Sequence, residues 1–110
     1  MPYDPGLAVR LEELFEGHAG FEHKKMFGGI CWLLNGKMFA GVYKDRLIIR
    51  VGEETAVKIL KEKHVKPFDI TGKPMKGWAM VAPEGIEDDK ALKRYLSLAE
   101  RFVKILPSKN

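Results

Sequence analysis

Residues 30–51 read ICWLLNGKMFAGVYKDRLIIRV. Two apolar runs flank Asn35-Gly36, and a third follows Lys44-Asp45. Asn and Gly both tolerate the positive φ that a two-residue hairpin turn requires, so Asn35-Gly36 predicts a tight hairpin. Lys44-Asp45 predicts a second one, giving three consecutive antiparallel strands. A two-residue turn sets which residues oppose each other. Around the first turn Leu33 should face Met38, Trp32 face Phe39, Cys31 face Ala40 and Ile30 face Gly41. Around the second, Tyr43 should face Arg46 and Gly41 face Ile48.

Side chains alternate between the faces of a strand. One face is then expected to hold Cys31, Leu33, Met38, Ala40, Val42, Leu47, Ile49 and Val51, all apolar. This is the predicted core face. The other holds Ile30, Trp32, Leu34, Lys37, Phe39, Gly41, Tyr43, Arg46, Ile48 and Arg50, and mixes aromatics with cations. A row of Trp32, Phe39 and Arg50 crosses it.

The flanking segments supply the remaining elements. Leu7, Leu11, Leu14 and Phe15 recur at helical spacing, after Asp4 as an N-cap and Pro5 at the first helical position. Gly17 or Gly20 should end that helix. A short strand is expected near 23–27, and Gly28-Gly29 either ends it or forms a bulge in a longer one. GEETAVKILKEKHV predicts a short helix with Ala56, Ile59 and Leu60 inward. Residues 66–77 read as a loop by their Pro and Gly content, and WAMVA, residues 78–82, as one more strand. From about Asp88 a final helix carries Leu92, Tyr95, Leu96, Ala99, Phe102, Val103 and Leu106, with Pro107 ending it. The order helix–strands–helix–strand–helix predicts an α+β fold. It comprises an antiparallel sheet of four to five strands and three helices mainly on one face. The chain of 110 residues suits a single domain over 1–110.

Charge is unevenly placed. Residues 1–22 carry one Arg against five acids, whereas residues 23–76 carry twelve Lys and Arg against five acids. The basic middle fits a solvated lysine surface, and it also permits contact with nucleic acid or an acidic partner. No apolar run is long enough to cross a bilayer. The N-terminus MPYDPGLAVRLEELF has acids where a leader would be basic and then apolar, so a cytoplasmic location is expected. The lone Cys31 cannot form an internal disulfide and is read as a small buried side chain.

Candidate chemical motifs fail on their spacing. In TGKPMKG, Pro74 follows Gly72-Lys73 where a phosphate loop needs Ser or Thr. Gly28-Gly29 lacks the third glycine of a dinucleotide site. His18, His23 and His64 show no metal-ligand spacing. Glu87, Asp88 and Asp89 suit a helix start through the helix dipole. The expectation is therefore no catalytic residue, no metal, no cofactor and no enzymatic activity.

The mixed face is the candidate interaction surface: Trp32, Phe39, Tyr43, Arg46, Ile48 and Arg50. It is more apolar than a solvated surface should be. Loop 66–77 can cover it, with arginine stems over the aromatics. A homodimer or protein-partner interface fits, since aromatics and Arg are enriched at interface cores. Single-stranded nucleic acid stacking on the aromatics is the third reading.

The segments KKMFGGICWLLNGKMFAGVYKDRLIIRV (24–51), PFDITGKPM (67–75) and VAPEGIEDDKALKRYLSLAERF (81–102) together resemble the N-terminal domain of the TfoX/Sxy competence regulators. The Met-Phe-Gly-Gly element, the Gly before MFA and the DRL link are the most specific parts. The resemblance implies an α+β domain with an antiparallel sheet. Longer members add a C-terminal helical domain and regulate genes for DNA uptake. This chain ends at Asn110, and a free-standing N-terminal domain is expected. The resemblance brings no catalytic residues. The functional expectation is a non-enzymatic regulatory or protein-interaction module, linked to transcriptional or competence regulation, that binds a protein partner or a second copy of itself. The alternative is a nucleic-acid-binding domain, and a small-ligand protein or enzyme ranks last.

Overall fold

Asp4 and Pro5 start the first helix as their chemistry dictates. In the computed structural model, which describes residues 4–26, 29–69 and 75–105, the Asp4 carboxylate accepts the Gly6 N–H at 2.9 Å. Helix α1 runs Pro5–Phe15 and buries Leu7 and Leu11. Six strands follow in chain order with helices between them: β1 (Phe21–Met26), β2 (Gly29–Leu34), β3 (Lys37–Tyr43), β4 (Arg46–Arg50), α2 (Glu53–Ile59), β5 (Val65–Pro67), β6 (Trp78–Val81) and α3 (Asp89–Lys104). A short 3-10 turn at Pro83–Gly85 leads into α3. Asp88 caps α3 by accepting the Lys90 N–H at 3.0 Å. Arg101 and Lys104 lie in its last turn, where cations favour the helix dipole.

The strands form one antiparallel sheet in the order β1-β2-β3-β4-β6-β5. The α+β class holds. The sixth strand is β5, whose residues 66 and 67 fall in the expected loop; it has three residues and pairs with β6. Such a short segment carries no readable alternation. Gly28, Gly72, Lys73, Pro74, Leu106 and Pro107 lie outside the described residues.

Both tight turns form, with positive φ at Asn35, Gly36 and Lys44. Tyr43 faces Arg46 and Gly41 faces Ile48, as expected. The β2–β3 ladder differs. Leu33 faces Met38, but Trp32 faces Ala40 and Ile30 faces Val42, with a register shift between Trp32 and Leu33. Phe39 is the extra residue of a β-bulge. Phe39 and Ala40 are consequently both buried in the main core, at 0% and 1% exposure.

This bulge corrects the predicted faces. On β2 the core side chains are Ile30, Trp32 and Leu34, while Cys31, Leu33 and Met38 are half-buried on the other face. The expectation held for Ala40, Val42, Leu47, Ile49 and Val51. The physical reason is volume. An unbroken ladder would leave Trp32 and Phe39, two large aromatic side chains, outside the core. The bulge brings both under the helices. The Phe39 ring sits 5.4 Å from Phe15 and 5.7 Å from Phe21, and Phe15 stacks on Phe21 at 4.5 Å.

The main core draws on all three helices, through Leu7 and Leu11, Ala56 and Ile59, and Leu92, Tyr95, Leu96, Ala99 and Val103. The helices therefore pack on one face of the sheet. A second, smaller cluster of Ile48, Phe68 and Met80 lies on the opposite face, with Tyr43 and Trp78 packed against it.

Candidate interaction surface

The helix-free face can be traced across the ladder. One row runs Lys24, Cys31, Gly41, Ile48, Met80, Lys66. Glu22, Leu33 and Met38 form the neighbouring row at one end, Tyr43 and Arg46 pair beyond Gly41, and Arg50 pairs with Trp78. This face divides in two. Over β4, β6 and β5, Phe68 covers Ile48 and Met80, which are 5% and 9% exposed. Over β1 to β3, Cys31, Leu33, Met38 and Tyr43 remain half-buried, framed by exposed Glu22, Lys24 and Arg46.

The six residues expected to form one interaction face therefore separate. Trp32 and Phe39 lie in the main core beneath the helices, away from any partner on the outer face. Tyr43, Arg46, Ile48 and Arg50 do share that face. Ile48 is covered by Phe68. Arg50 is occupied at the end of the sheet, its guanidinium 6.0 Å from the Trp78 ring and 5.6 Å from that of Phe102. Arg46 is exposed, with Nη1 4.0 Å from the Met80 sulfur and Nε 3.9 Å from the Asp45 carboxylate. Cover by the 66–77 segment, one of the three sequence readings, applies to the β4–β6 half through Phe68. Leu33 and Met38 were missed as surface residues because an alternating pattern cannot reveal a bulge that reverses their side.

Cys31 also lies on this face rather than in the core. Partial burial pushes its thiol up from the usual range, which keeps it protonated and a poor nucleophile at neutral pH. No charged side chain among the described residues is buried. No group of three or more His, Cys, Asp or Glu among them is placed to hold a metal ion. A groove of about 430 Å³ between α1 and β1 has Phe15, Phe21 and Trp32 on its walls and Glu12, Glu13, His18 and His23 along it. A more apolar groove of about 370 Å³ lies between α2 and β6, lined by Ala56, Val57, Leu60, Met75 and Trp78.

Among the described residues, one polar cluster ties α3 to the segment after α2. Arg94 on α3 donates two hydrogen bonds to Glu62, after α2, at 2.9 and 2.7 Å, and Tyr95 donates a third at 2.5 Å. The bonds from Arg94 hold the Glu62 carboxyl below its ordinary value. Desolvation, then the carboxylate, push the Tyr95 phenol up. A carboxylate with a depressed folded pKa stabilises the protein above its unfolded value, near 4.5. That contribution is lost as pH falls through the folded pKa. Arg94→Ala should thus cost about 0.5–1 kcal/mol at neutral pH, since the pair is largely solvent-exposed. The difference from wild type should shrink in urea titrations taken below pH 4.5. A difference that stays constant down to strongly acid pH would remove Glu62 as the partner.

The profile of the TfoX N-terminal domain matches residues 13–103. The chain belongs to this family. No curated protein matches it closely enough to count as a relative. The match spans nearly all the described structure of this TfoX N-terminal domain, from the end of α1 to the end of α3. It takes in Gly29, the first residue of β2. A Cβ there would sit 2.4 Å from the Val42 carbonyl oxygen, so this position of the TfoX domain has no room for a side chain. Among its described residues no helix is long and apolar enough to cross a membrane.

Proposed function

We propose that this TfoX N-terminal domain is a non-catalytic cytoplasmic regulatory module that acts by binding a protein partner through the β1–β3 part of its outer face. One observation carries the reading. Cys31, Leu33, Met38 and Tyr43 form a half-exposed apolar band on the side away from the helices, with Glu22, Lys24 and Arg46 around it. An apolar centre with a charged rim is the anatomy of a protein interface. Support for a regulatory setting comes from the family, whose longer members control competence genes.

The test uses Leu33→Thr and Met38→Lys, which alter the band without touching the main core. Each should leave thermal unfolding within about 1 kcal/mol of wild type, as partly exposed positions do. Each should abolish recovery of a partner retained by wild-type protein from a cell extract. Wild-type protein that retains nothing, or variants that retain the partner equally well, would sink the proposal. If the retained material is nuclease-sensitive and dissociates steeply with salt, the nucleic-acid alternative replaces it.

A further inference from the structure

The sheet has two edges, and they are built differently. The β5 edge has three residues and includes Pro67, which has no N–H to donate. It is a blunted edge. The β1 edge is a regular six-residue strand, Phe21–Met26. The Asn35 N–H donates to the Gly20 carbonyl at 2.8 Å, and the register continues from there as Phe21 to Leu34, Glu22 to Leu33 and His23 to Trp32. Hydrogen-bonded and non-bonded pairs alternate in an antiparallel ladder. Glu22 and Lys24 therefore turn their backbone groups toward β2. Phe21, His23 and Lys25 turn theirs outward.

We propose that the β1 edge pairs with β1 of a second copy of this chain, antiparallel and centred on His23, to give one continuous twelve-stranded sheet from two six-stranded ones. In this register His23 opposes its own twin, and Phe21 opposes Lys25 of the partner subunit. Every outward N–H and C=O of these three residues gains a partner. On the outer face Glu22 of each protomer opposes Lys24 of the partner subunit, and the twofold axis makes that ion pair twice. Neighbouring twofold registers lose this match. Centring on Glu22 opposes two glutamates, and centring on Lys24 opposes two lysines.

Lysines on an edge strand normally repel a stray strand. Here they select one, because a partner carrying Glu two residues before Lys neutralises the repulsion. Glu22 and Lys24 are both exposed, so their charges are available. The proposal does not rest on the outer-face reading above, since it uses the rim of the sheet and its backbone groups. The arrangement keeps both sets of helices on the same side and joins the two outer faces into one surface.

Sedimentation equilibrium across a wide concentration range is the test. Wild-type protein should be in monomer–dimer equilibrium. Glu22→Lys alone or Lys24→Glu alone turns two attractive cross-strand pairs into two repulsive ones and should weaken the dimer about tenfold or more. The double variant E22K/K24E should restore it. An equimolar mixture of the two single variants should form a heterodimer, because every opposing pair is then of opposite sign. Leu33→Thr should leave the equilibrium unchanged. Circular dichroism on each variant confirms the fold, as both positions are exposed. Wild-type protein that stays monomeric at every concentration overturns the proposal. So do single reversals that leave the dimer intact, or a mixture that forms no heterodimer.

Discussion

Phe39→Ala should destabilise the domain by about 3–5 kcal/mol, the range for removing a fully buried aromatic ring. Net stabilities of small domains lie at about 5–15 kcal/mol, so this is a large fraction of the total. The corresponding fall in Tm is on the order of 15–25 °C. The ring is 0% exposed and packs against the stacked rings of Phe15 and Phe21. Its loss would leave a cavity at the place where the end of α1 meets β1. Met38→Ala, one residue earlier, removes a half-buried side chain from the other face and should cost about 1 kcal/mol. Urea unfolding of the two variants decides between registers. An unbroken hairpin would place Met38 in the core and Phe39 outside it, and would reverse the ranking.

Gly29→Ala is the second large effect, expected at about 1–3 kcal/mol of lost stability, the range for forcing an extra methyl group into a packed interior. The methyl would lie 2.4 Å from the Val42 carbonyl oxygen and 3.5 Å from the Tyr43 Cα. Both are backbone atoms of β3, which is held on its other side by β4. Neither can rotate away as a flexible side chain would. Relief requires β2 to move off β3 beside the Ile30–Val42 pair. Thermal unfolding of Gly29→Ala should show the loss, and Gly36→Ala offers a contrast in which no atom lies within 4 Å of the added carbon. Gly36 has a φ of +81°, so that variant suffers only backbone strain. Unchanged stability for Gly29→Ala would mean that the strands separate there at no cost.

Most of the fold could be read from local chemistry. Asp4-Pro5 and Asp88 announce helix starts, and both carboxylates do accept backbone N–H groups. Asn35-Gly36 announces a hairpin, and both residues take positive φ. The stripe from Leu92 to Val103 faces the core as its spacing requires. The faces of β2 were not legible in the same way. ICWLL is apolar at every position, so period-two alternation assigns no side. The register rule then transmitted the inward side of Ala40 and Val42 to Cys31 and Leu33, when the true partners lie one residue away. Side-chain volume held the missing information, because a core under three helices needs Trp32 and Phe39 more than it needs Cys31 and Met38. The candidate surface inherited that error. Tyr43, Arg46, Ile48 and Arg50 were placed correctly on the outer face because β3 and β4 pair in the expected register. The cover that Phe68 provides over Ile48 depends on a tertiary contact between segments twenty residues apart, which no spacing rule encodes.

The bulge has a consequence for how this hairpin tolerates change in length. With Phe39 deleted, Leu33 would still face Met38 and Trp32 would still face Ala40, now as consecutive pairs. The turn would keep its two residues, and no other side chain of β2 or β3 would change sides. In genetic terms Phe39 behaves as a one-codon insertion that sheet pairing does not need. What needs it is the rest of the molecule, since its ring is the contact by which the hairpin holds Phe15 of α1 and Phe21 of β1. The ladder would close without Phe39; the core above it would not.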